Sequence, residues 1–288
     1  MPTDRPQARA RLALVFRGAN TRWALPASAV LEVGPAPEGE APVRHGLPIE
    51  DFGALFGQRA ERSPKSVTLV LDCAPPRALR VEAVEEVADL SAAQFFQLPE
   101  GLSSAHLVRG AVLHRALLAL ELVPQALADF RPEGPLRAKA PQLATPDQAS
   151  ARPPGRSLVL EAGELGAVGV PLSLVTGVVR ALSVCPVPFA AEGHRGLMHH
   201  EGSILSLYDL ALLAGHAPVQ GELAVALDVS GRALAVLASR VVGVLEGFGG
   251  EPQSVPGGVR WRARDARHVL FPELERWVFP AAKAPQQN

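Results

Sequence analysis

The chain repeats itself, and that constrains its fold more than any other feature. Leu25-Pro26 and Val30 return as Val170-Pro171 and Val175, 145 residues on. Asp51, Leu55 and Gly57 return as Asp209, Leu213 and Gly215, 158 residues on, and Leu79, Val81 and Val84 return as Val236, Ala238 and Val241, 157 residues on. The jump from 145 to 158 means that the second copy carries about thirteen extra residues between positions 176 and 208. A spacing held over three separated blocks describes one unit built twice.

Within each copy the apolar runs are short and end in turn chemistry. Leu12–Phe16 stops at Arg17-Gly18-Ala19-Asn20, and Trp23–Pro26 resumes it, the pattern of a β-hairpin. Ala27–Val33 reads as a brief helical turn or strand ahead of the Pro/Gly-rich stretch at 34–42. Val67–Asp72 pairs with Ala78–Val87 across Ala74-Pro75-Pro76, and Leu107–Leu122 folds back with His114-Arg115 at its tip. Leu158–Glu161 with Gly166–Pro171, and Leu223–Asp228 with Ala233–Leu237 across Ser230-Gly231, repeat this in the second copy. Trp261–Phe271 and Pro272–Val278 close it. The pattern is all-β.

Residues 131–156 differ, with six prolines (132, 135, 141, 146, 153 and 154) among Ala, Gln and Ser. Too little apolar surface is present there to offset the entropy of ordering, so the segment reads as an extended, semi-rigid linker. The expected domains are 10–130, a linker at 131–156, and 157–280.

Bulk composition excludes several classes. A net charge of −1 supplies no field to steer the chain toward nucleic acid or an anionic membrane. Hydrophobic residues make up 48% but aromatics only 5%, so packing must rest on Val, Leu and Ala. The two cysteines, Cys73 and Cys185, lack CxxC spacing and fit a reducing cytosol. No apolar run approaches the ~20 residues that span a bilayer, and Met-Pro-Thr-Asp-Arg-Pro has no signal core. The expectation is a cytoplasmic protein.

The stretch Gly196–Gly215 reads as a turn, a strand and one helical turn, with Asp209 as N-cap and Gly215 as the stop. It resembles the CheW-like domains of bacterial chemotaxis, whose pattern runs close to Gly-Val-Ile-Asn-Leu-Arg-Gly-x-Val-Leu-Pro-Val-Ile-Asp-Leu. Gly196, Leu197, Met198, Gly202, Ile204, Leu205, Leu207, Asp209 and Leu210 fall on that pattern without a gap. His199 and His200 replace Asn-Leu, Glu201 replaces Arg and Ser206 replaces Pro. In the first copy, Val43-Arg44-His45-Gly46-Leu47-Pro48-Ile49-Glu50-Asp51-Phe52 keeps the ending and has lost most of the preceding arm. Where the family reads Val-Asp-x-Val, the copies read Val81-Glu82-Ala83-Val84 and Ala238-Ser239-Arg240-Val241.

The resemblance implies two CheW-like units, each of two small five-stranded β-barrel subdomains. It also implies a non-enzymatic adaptor or scaffold without a cofactor. Its protein partners would be a chemoreceptor tip, a CheA-type histidine kinase, or another signalling or motility protein that recruits it to membrane-associated arrays. The partner-binding positions carried over are Leu197, Met198, His199, His200, Glu201 and Gly202, with Arg44 and His45 in the first copy. Glu201 reverses the charge of the family's Arg and so alters partner choice.

Two other readings compete. His194, His199, His200 and Glu201 place three imidazoles and a carboxylate within eight residues, as a metal-dependent enzyme would need. On a strand, however, His199 and His200 face opposite ways and no HExxH spacing exists. The other reading is a structural module of a motility or polarity complex without kinase contact. Asp209 reads as a fold-inherited cap because Asp51 occupies the same place in the other copy. Glu85 and Glu86 read as a solvated strand edge. Arg260, Arg262, Arg264, Arg267 and His268 read as the wet face of a hairpin.

Overall fold

A computed structural model describes residues 11–37, 42–58, 65–99, 102, 106–130, 143, 145, 153–180 and 182–279. The linker expected at 131–156 lies outside these residues except for 143, 145 and 153–156. The chain divides into two compact units. The first is Met1–Leu136 with Cys185–Ala190, and the second is Arg137–Val184 with Ala191–Asn288.

The first unit is built from β1 (Leu12–Gly18), β2 (Thr21–Pro26), β3 (Val30–Pro35), β4 (Val43–Arg44), β5 (Leu47–Asp51) and β6 (Val67–Leu71). It continues through β7 (Arg77–Val81), β8 (Ala83–Asp89), β9 (Gln94–Phe96), β10 (Val108–His114), β11 (Leu117–Leu122) and the short helix α1 (Pro124–Asp129). One sheet runs β8-β1-β2-β11-β10-β9 and the other β3-β6-β7-β5-β4.

The second unit supplies β12 (Ser157–Glu161), β13 (Ala167–Pro171), β14 (Val175–Arg180), β15 (Val184–Cys185), β16 (His194–His200) and β17 (Ser203–Tyr208). After helix α2 (Leu210–Leu213) come β18 (Leu223–Val229), β19 (Arg232–Ala238), β20 (Arg240–Leu245), β21 (Gly249–Val255), β22 (Gly258–Arg262), β23 (His268–Pro272) and α3 (Leu274–Val278). Its sheets run β20-β12-β13-β23-β22-β21 and β14-β18-β19-β17-β16-β15.

These orders superimpose strand for strand, with β15 as the one addition. Irregularities repeat too: a bulge at Val15/Phe16 recurs at Val159/Leu160, and one at Val30/Glu32 recurs at Val175/Gly177. Parallel pairs repeat as β2 with β11 against β13 with β23, and β5 with β7 against β17 with β19. The fold is all-β and duplicated, although three of the four sheets hold six strands where five are expected.

Hairpin turns follow from the local sequence. Ala19-Asn20, His45-Gly46, Arg115-Ala116, Glu201-Gly202 and Ser230-Gly231 each link two paired strands and carry positive φ at both residues, as in a type I′ turn. That turn's twist matches the right-handed twist of the strands it joins. Core composition divides between the copies. Val168, Val225, Ala235 and Val236 are among the fully buried residues of the second unit. In the first, Phe16, Trp23 and Phe52 are fully buried and pack edge to face, with ring centroids 5.2–5.3 Å apart.

Candidate functional site

The residues expected to meet a partner sit on the β16–β17 hairpin. Its register pairs Met198 with Leu205, His199 with Ile204 and His200 with Ser203 around the Glu201-Gly202 turn. Leu197 is 0% exposed and Met198 1%. Neighbours on a strand face opposite ways, so burial of both shows that this strand is covered on its two faces. Leu197 and Met198 are therefore core residues, and the expectation that they touch a partner is corrected. Glu201 and Gly202 are exposed at the tip, with His199 and His200 half-buried behind them.

His200 packs across the sheet. A Cβ on Gly177 of β14 would fall 2.9 Å from its Nε2, so glycine is what lets the ring lie there. Since β14 is the first strand of that sheet and β16 lies near its far end, the sheet curls round on itself. Arg44 does the same in the first unit, lying over Gly34 of β3 and donating to Pro35 O at 3.2 Å. Arg44 and His45 both bond the Glu32 carboxylate, which holds its pKa down at about 2. The first copy's arm is shortened but keeps the hairpin and its turn, and its two candidate side chains are tied to the unit's own sheet.

His194 lies on the same strand. Its ring meets Tyr208 edge to face at 5.2 Å, and both ring nitrogens are buried without a hydrogen bond. Burial pushes its pKa down to about 4. Among the described residues no three His, Cys, Asp or Glu side chains converge on a point that could hold a metal ion. The His194, His199, His200 and Glu201 cluster is a feature of the linear sequence, separated by strand geometry.

Asp209 is the cap expected. Its Oδ1 accepts from Ala211 N at 3.1 Å and Leu212 N at 3.2 Å, and its Oδ2 from Val219 N at 2.9 Å. Asp51 accepts from Ala54 N at 3.2 Å at the equivalent place. Glu85 takes a two-pronged contact from Arg22 at 2.6 and 3.1 Å, and Glu86 takes one from Arg115 at 2.9 Å. Cys73 and Cys185 are buried free thiols, the latter pushed up to about 12 by burial.

Exposed apolar residues occupy matched places. Val33 and Val178, 145 apart, both point outward from the edge strands β3 and β14, and Val87 and Val244, 157 apart, do so from the edge strands β8 and β20. Both β3 and β14 alternate half-buried and exposed along their whole length. Sequence reasoning passed over these valines because one apolar residue in an apolar strand carries no mark. Their signal was the repeat itself, which returns valine at an outward position twice.

Comparison with known families reports on the second unit. Residues 156–259 match the family described as the CheW-like domain. Among solved structures, the chain is similar to the scaffolding protein TtCheW from Thermoanaerobacter tengcongensis. The two are 18% identical, with 43% of this chain and 96% of that one covered at a TM-score of 0.35. No curated protein matched the sequence significantly. The CheW-like match takes in β12 through β20 with the Gly196–Gly215 block, and also β21 and the first residues of β22. Among the described residues no helix is long and apolar enough to cross a membrane.

Proposed function

We propose that the protein is a non-enzymatic adaptor of a chemotaxis-type signalling system, holding partner proteins through two copies of one docking module, at 10–130 and 157–280. The observation that carries this reading is the outward valine repeated on matched edge strands, Val33 with Val178 and Val87 with Val244. An edge strand offers unpaired backbone groups, and an apolar side chain beside them gives a partner strand or helix something to bury. Each valine is worth about 1–2 kcal/mol once covered. Exposed Glu201 and Gly202 form the polar tip of the β16–β17 hairpin, with Glu201 selecting a basic rather than an acidic partner. The family match at 156–259 supports a chemoreceptor and a histidine kinase as the partners.

The test uses the purified full chain against a chemoreceptor signalling tip and a CheA-type histidine kinase. Saturable binding to either, weakened about tenfold or more by Val178→Glu, supports the adaptor. Binding to neither, by a chain that melts cooperatively, favours a structural module without kinase contact and overturns this reading.

A further inference from the structure

The extra segment of the second copy is where the two copies part company. Cys185–Ala190 is grouped with the first unit, although the residues on either side of it belong to the second. It reads Cys185-Pro186-Val187-Pro188-Phe189-Ala190, and Cys185, Val187 and Pro188 are buried. Phe189 is its anchor. Its ring centroid lies 5.2 Å from Phe56 and 5.6 Å from Phe130, and Phe56 in turn stacks on Trp23 at 5.4 Å. Phe189 holds a left-handed backbone at φ 60, a conformation that bulky side chains avoid unless their surroundings impose it. Polar bonds complete the contact: the buried Thr21 hydroxyl donates to Pro186 O at 2.9 Å, and the Arg22 backbone bonds Cys185.

Three walls of the cup are aromatic only in the unit that holds the segment, while Phe130 at the end of α1 has Phe279 at the end of α3 as its counterpart. Trp23 and Phe52 correspond to Val168 and Leu210 in the second unit, and Phe56 corresponds to Ala214. In a chain with 5% aromatics this concentration around Phe189 answers to the ligand, since the other copy keeps the same strand order with aliphatic residues at those three places. Aromatic walls and a hydroxyl donor to a carbonyl meet a proline-flanked turn, Val187–Ala190, closed by Ala190 N donating to Val187 O at 3.4 Å, which presents Phe189 as a compact ligand does to a cup. We propose that the first unit is a receptor for a Pro-x-Pro-Phe peptide, occupied in this chain by its own Pro186–Phe189 segment. Tethering puts the local concentration of that segment in the millimolar range, so a competing peptide enters only when the segment is released.

The test is a binding titration of a labelled peptide spanning Leu182–Glu192, with Cys185→Ser to prevent oxidation, against the full chain. Full-length Phe189→Ala is expected to bind it saturably, at least about tenfold more tightly than the wild-type chain, and to ignore the same peptide carrying Phe189→Ala. A folded Phe189→Ala chain that fails to bind the peptide overturns the proposal. So does a wild-type chain that binds it as tightly as the variant. Should Phe189→Ala lose its cooperative melt, Thr21→Val decides the matter by hydrogen exchange. Faster exchange confined to the amides of Val187, Phe189 and Ala190 supports a separable ligand. Unchanged exchange, or acceleration spread through β10 and β11, shows that the segment is ordinary core.

Discussion

At Asp209 one buried carboxylate satisfies three backbone amides, two in the first turn of α2 and a third from Val219 ten residues on. A cap of this kind is worth about 1 kcal/mol, and orphaning the buried Val219 amide adds about 1–3 kcal/mol. Asp209→Ala is therefore expected to cost about 2–4 kcal/mol in urea unfolding, against about 1 kcal/mol for the half-buried Asp51→Ala with its single bond. Cap identity was legible from Asp followed by an apolar turn and Gly215; the third bond was not, because Val219 approaches only in the folded chain.

His194 gives a pH dependence with a definite sign. Its pKa falls from 6.5 to about 4 on folding, so between those values the unfolded chain binds a proton that the folded chain refuses. Stability is full above pH 6.5 and declines toward pH 4, by about 3 kcal/mol in all. Glu32, held near 2, loses its contribution only below about pH 4.5, so the two windows meet only near pH 4 to 4.5. Chemical denaturation at pH 7 and pH 5 checks this: His194→Phe should flatten the decline, and an unchanged slope would refute the assignment.

At the scale of elements, the β16–β17 hairpin shows how a motif was read correctly while its residues were misplaced in role. The match to a family pattern marked Leu197 and Met198 as an interaction arm, yet family patterns record buried framework as readily as contact surface. Strand β16 is flanked by β17 and β15 and covered on both faces. Leu197→Asp buries an unpaired charge and is expected to abolish cooperative folding, whereas Glu201→Arg at the exposed tip should leave stability within about 0.5 kcal/mol. Circular dichroism melts separate the two.

A second element effect is Arg77, 5% exposed on β7, which donates to Glu50, Leu127 O and Phe130 O. It ties the end of α1 to the sheet, and its counterpart in the second unit is Leu234. Arg77→Leu removes a donor from both carbonyls, leaving Leu127 O with Phe130 N alone, and should cost about 2–3 kcal/mol by urea unfolding.

For the whole molecule, duplication is the governing fact. Strand order, parallel pairs and two bulges recur, while matched core residues change, Trp23 and Phe52 standing where the second unit has Val168 and Leu210. Packing tolerates such exchange when volume and alternation are kept. Matched surface positions are the exception, and they make a comparative prediction. Val33→Glu and Val178→Glu should each leave the melt unchanged, since both side chains are exposed, yet weaken partner binding. The double variant is expected to lose at least the sum of the two if both units engage one assembly.

Short alternating runs, turn pairs with positive φ and a repeat spacing are properties of consecutive residues, so the amino-acid sequence settled the all-β class, the hairpins and the duplication without help. Which faces of a strand are covered, which imidazoles share a site, and which unit receives the Cys185–Ala190 segment depend on residues far apart in the chain. Those were decided by long-range packing, because burial is a property of what arrives from elsewhere and is not written in any one stretch.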